Sequence, residues 1–156
     1  LGDTVAESSA TRTGRSPSPS ASIVLDGALK DRPEAAVQTF AHEVGHANYN
    51  YKPDYSSRSA YVNGRLADEG AATLNNIKVQ REILANGGPD IGIAGNKSNH
   101  AAYNQAYDQF EKDGDAAVAR RVIGERFGNG EITSTTKQSY ADYYGGDYDR
   151  AFPPKR

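Results

Sequence analysis

Between Gln38 and Ala47 two of the chain's three histidines stand four residues apart, with a glutamate directly after the first: His42-Glu43-Val44-Gly45-His46. On an α-helix, residues four apart share a face, so both imidazoles can reach one metal ion. Glu43 sits one step round the helix, beside such an ion rather than on it. That is the arrangement in which a metal activates water and a neighbouring carboxylate takes its proton. A helix is well signalled here: Asp31 and Pro33 mark its start, and it is predicted over residues 33–49. Gly45 lets another segment approach closely, at some cost in helix propensity. The plainer alternative is a pair of helix-surface histidines that hold no metal.

The chain of 156 residues contains no cysteine, which removes thiolate ligands, thiol nucleophiles and disulfides together. A metal must then be held by imidazole and carboxylate, and a catalytic zinc takes three protein ligands and leaves a place for water. His100 is the only other imidazole. The better third ligand lies in Leu66-Ala67-Asp68-Glu69-Gly70, on a helix predicted over residues 62–86 and stopped by Gly87-Gly88-Pro89. At about 100° per residue, Leu66, Leu74, Ile77 and Leu84 fall in one sector, expected to face the core. Glu69 flanks that sector and Asp68 points nearly opposite, so Glu69 is the expected ligand and Asp68 is not. The competing reading of Glu69 is an ordinary acid near a helix N-terminus, favoured by the dipole.

The rest of the chain sets the frame. Residues 1–20 are rich in Ser, Thr, Gly and Pro and read as a flexible arm or linker. Ala21-Ser22-Ile23-Val24-Leu25-Asp26-Gly27 reads as a strand closed by a turn. Further helices are predicted over residues 98–112, 115–127 and 133–144, with Gly145-Gly146 as turn chemistry in a tyrosine-rich tail. The expectation is one domain over residues 21–156, α+β and mainly helical, with a short sheet. Mean hydropathy of -0.74, no apolar run near the roughly 20 residues of a membrane span, a formal charge of -2 and no basic block argue against membrane insertion and nucleic acid. The chain starts at Leu1, has no methionine and shows no signal peptide, which reads as a processed or excised piece.

The HEVGH helix followed by a helix carrying Asp68-Glu69-Gly70-Ala71-Ala72 resembles a zincin of the gluzincin kind, across roughly residues 23–84. Carried over by position, the resemblance implies Zn2+ held by His42, His46 and Glu69, with Glu43 as the base in peptide-bond hydrolysis. In zincins the strand before the active helix commonly forms the sheet edge that pairs with an extended substrate, a place Ile23 to Leu25 would take. A donor for the oxyanion is expected from His100 or from one of Tyr140, Tyr143, Tyr144 and Tyr148. More broadly, the compact core and the tail Ser139-Tyr140-Ala141-Asp142-Tyr143-Tyr144 resemble metallopeptidase toxin domains at the C-termini of bacterial polymorphic toxins and type VI secretion effectors. That resemblance implies secretion from a bacterium into a target cell, a peptide or protein substrate, and a cognate immunity protein as partner. Two other classes fit the motifs: a regulatory peptidase with one dedicated protein substrate, and a non-catalytic zinc-containing binding module.

Overall fold

A computed structural model describes residues 22–153. Five helices build it: α1 (Pro33–Tyr49), α2 (Arg58–Ala85), α3 (His100–Asp113), α4 (Ala116–Gly130) and α5 (Tyr140–Ala151). Each begins or ends on local chemistry. Pro33 opens α1, where a missing N–H costs nothing, and Asn50 closes it in the left-handed region at φ 49°. Ser57, Asp115 and Ser139 cap α2, α4 and α5 by accepting from the backbone N–H groups of Ala60, Val118 and Asp142.

The long α2 is the axis of the molecule, with α1 on one side, α4 on the other and α5 alongside. Small residues set both crossings. A Cβ on Gly45 would lie 2.5 Å from Ala72 Cα, so α1 can meet α2 only because that position is bare. On the far side, a Cβ on Gly124 would run into the Leu66 carbonyl and one on Gly70 into that of Arg120. Ile77, Tyr103, Ile123 and Phe127 fill the core among α2, α3 and α4. A second cluster, Tyr61, Leu66 and Tyr144, lies between α2 and α5.

The expected sheet is absent, so the α+β class is corrected to an all-helical one. Among the described residues there is no strand, only an isolated bridge between Ile132 and Ser139. A strand needs a partner, and nothing among the described residues supplies one for Ile23-Val24-Leu25. Val24 is 70% exposed, and Asp26 then turns the chain by accepting from the Ala28 N–H. The sheet edge expected to receive substrate goes with the strand. The last helix is also corrected, from residues 133–144 to Tyr140–Ala151. Gly145 is helical because it makes room for the Arg58 guanidinium of α2, rather than forming a turn. The arm predicted over residues 1–20 lies outside the described residues. No helix among those described is long and apolar enough to cross a membrane.

Candidate metal centre

The α1–α2 crossing brings three side chains together. His42 and His46 present perpendicular rings with centroids 5.0 Å apart, and both aim Nε2 at Glu69 on α2. The separations from Glu69 Oε2 are 3.5 Å for His42 and 3.6 Å for His46. One ligand atom from each of the three lies within 4.8 Å of the others. Zinc ligands about 2.0–2.1 Å from a common ion stand about 3.4 Å apart in a tetrahedron. The separations of 3.5 and 3.6 Å are close to that edge, and two imidazoles with one carboxylate are a donor set that zinc accepts. The residues therefore fit the ion that the resemblance implies.

Two of the three ligands are held from behind. His46 Nδ1 lies 3.1 Å from Asp68 Oδ1, which turns Nε2 toward the centre. Metal-binding histidines are commonly oriented in this way by a carboxylate on the other nitrogen. Glu69 Oε1 accepts a 2.5 Å hydrogen bond from the Tyr144 hydroxyl of α5. His42 Nδ1 is buried without a protein partner.

The electrostatics follow from this crowding. Burial works to raise the Glu69 carboxyl, but His42, His46 and Tyr144 outweigh it and hold its pKa below the ordinary range. Burial also disfavours protonated His46, yet Asp68 and then Glu69 hold its pKa above the usual value. Half-buried Glu43 is pushed up chiefly by desolvation, with both histidines opposing. A carboxylate raised toward neutrality is better matched to taking and giving a proton.

His42, His46 and Glu69 thus converge as the spacing predicts, with Glu43 beside them. His100 is not among the three groups that converge: it opens α3, which packs on α2 and α4. Its nearest ring is Tyr103, at 6.4 Å. The place expected for Asp68 needs correction. The apolar sector of α2 is turned to α4 at Leu66, which meets Gly124 and Gly128, while Leu84 is 45% exposed. The first helix instead packs on Ala71, Ala72 and Asn75 through Gly45, the side to which Asp68 belongs. Glu69 points between the two packed faces and is buried. Asp68 is therefore a partner of His46 that the hydrophobic pattern hides. Tyr144, one of the four tail tyrosines, is bonded to the ligand set, and periodicity alone does not single it out.

No family model, curated protein or solved structure matches this chain. The chemistry must therefore be argued from the site. Asp68→Ala is expected to weaken zinc binding by roughly 10–100-fold, less than Glu69→Ala, in a titration against a competing chelator. Parent affinity in the Asp68 variant would remove it from the centre.

Proposed function

We propose that this chain is a zinc-dependent peptidase, acting as the toxin domain of an effector secreted by a bacterium. The observation that carries the enzymatic reading is the approach of His42 Nε2 and His46 Nε2 to Glu69 Oε2 at 3.5 and 3.6 Å, close to a tetrahedral edge, with Glu43 beside them. A structural site needs no such base; a hydrolytic one does. The toxin setting rests on the resemblance of the HEVGH core and the tyrosine-rich tail alone.

A zinc ion bound there would supply an activated water and a Lewis acid for the scissile carbonyl. Around it, His42, His46 and Glu69 hold position, and Asp68 keeps His46 in the tautomer whose Nε2 is free to bind. Glu43 takes the proton from the attacking water and delivers it to the leaving amine. His100, at the start of α3, is not among the groups that converge on the centre.

The test is cleavage of a proteome-derived peptide library by the zinc-loaded protein. Cleavage that chelation stops and zinc restores is expected. A library left intact by fully zinc-loaded protein would contradict a general peptidase and favour a single dedicated substrate.

A further inference from the structure

A carboxylate can offer a metal one oxygen or two, and the number decides whether room is left for water. In this centre the two oxygens of Glu69 are not equivalent. Both histidine Nε2 atoms approach Oε2, at 3.5 and 3.6 Å. Oε1 instead accepts the 2.5 Å hydrogen bond from Tyr144. The donor is itself well fixed. Tyr144 is 6% exposed, packed against the rings of Tyr140 and Tyr143 at 5.8 and 5.7 Å. The Arg65 guanidinium lies over its ring, 4.8 Å from the centroid. A short hydrogen bond to a charged acceptor is among the stronger kinds, and a buried hydroxyl that gave it up would find no water in exchange.

We propose that Tyr144 is a positioning residue that makes Glu69 a one-oxygen ligand, so that the fourth place on the metal stays open for the reacting water. The proposal rests on the metal-site reading above. It gives α5 a role in the chemistry: the C-terminal helix sets the coordination number of a centre whose ligands all lie on α1 and α2. With the hydroxyl gone, Oε1 is a buried acceptor that has lost its donor, and a metal bound at the centre would be a group able to satisfy it. The carboxylate would then turn to offer both oxygens, so that water could enter only as a fifth, more weakly held group.

Cobalt substitution reads this directly, because four-coordinate Co2+ absorbs strongly in the visible and five-coordinate Co2+ weakly. The cobalt-loaded parent should show the intense bands, and Tyr144→Phe, which keeps the ring, should show the weak ones. The Phe variant should also bind zinc roughly tenfold less tightly. Spectra and zinc affinity identical to the parent's would overturn the role of Tyr144 while leaving the metal site standing. Should the variant not fold, X-ray absorption on the zinc-loaded parent still decides. A four-coordinate shell with one Glu69 oxygen is expected, and a shell holding both oxygens refutes the proposal. A parent that binds neither metal ends the metal-site reading and this inference with it.

Discussion

Glu43→Gln is expected to bind zinc as tightly as the parent and to cleave peptides at least about a hundredfold more slowly. Gln keeps the size and the hydrogen-bonding reach of Glu but is not a base. The variant separates two roles because Glu43 is not one of the three groups that converge. His42, His46 and Glu69 provide the ligand atoms, and Glu43 acts on them only through its charge, from a half-buried position. Zinc content and affinity should therefore hold while turnover falls. Initial rates on a cleaved library peptide, with zinc occupancy measured on the same samples, check both halves. Turnover at the parent rate with full zinc would take the proton-transfer role away from Glu43.

The second large effect concerns the frame. Gly124→Ala should destabilise the protein by about 3 kcal/mol, at the upper end of what overpacking usually costs. The added methyl meets the Leu66 carbonyl of α2. A backbone atom in a helix has no rotamer to escape into, so the crossing of α2 and α4 must open. The gain of about 1 kcal/mol in helix propensity from Gly to Ala does not offset this. Gly146→Ala makes the contrast: a Cβ there meets only the flexible end of Arg150, at 3.3 Å, within α5. That variant should be as stable as the parent or slightly more so. Denaturant unfolding of the two variants beside the parent gives the comparison. Equal stability of Gly124→Ala and parent would mean that α2 and α4 do not cross where Leu66 and Gly124 meet.

The helices were legible where punctuation is strong. Pro33 and the Gly87-Gly88-Pro89 stop bracket α1 and the end of α2 because they act on the backbone itself. The start of α2 falls at Arg58 rather than at residue 62, since Ser57 caps it from within a polar run that reads as loop. The ligand pair was legible because its spacing is a property of one helix. Glu69 was legible as a burial question, but the place of Asp68 was not, for a physical reason. Hydrophobic phase finds the face of a helix that packs through large apolar side chains. It does not find a face that packs through Gly45, Ala71 and Ala72, and the metal centre lies on that side of α2. The strand expected at Ile23 to Leu25 failed for want of a partner, a non-local condition that a short β-branched run does not report. The tail misled because glycine is ambiguous. Gly145 and Gly146 break an isolated helix, yet the first is what lets α5 lie against Arg58 of α2. That contact lies in the same α2–α5 interface that brings Tyr144 to Glu69.

The central claim is a metal centre built by α1 and α2, and metal content tests it most directly. Plasma mass spectrometry should find about one zinc per chain in the purified parent, as a site with three protein ligands requires, and little in His46→Ala. A parent that takes up no zinc even when it is offered, or a His46→Ala variant that keeps the parent's full content, would contradict the account.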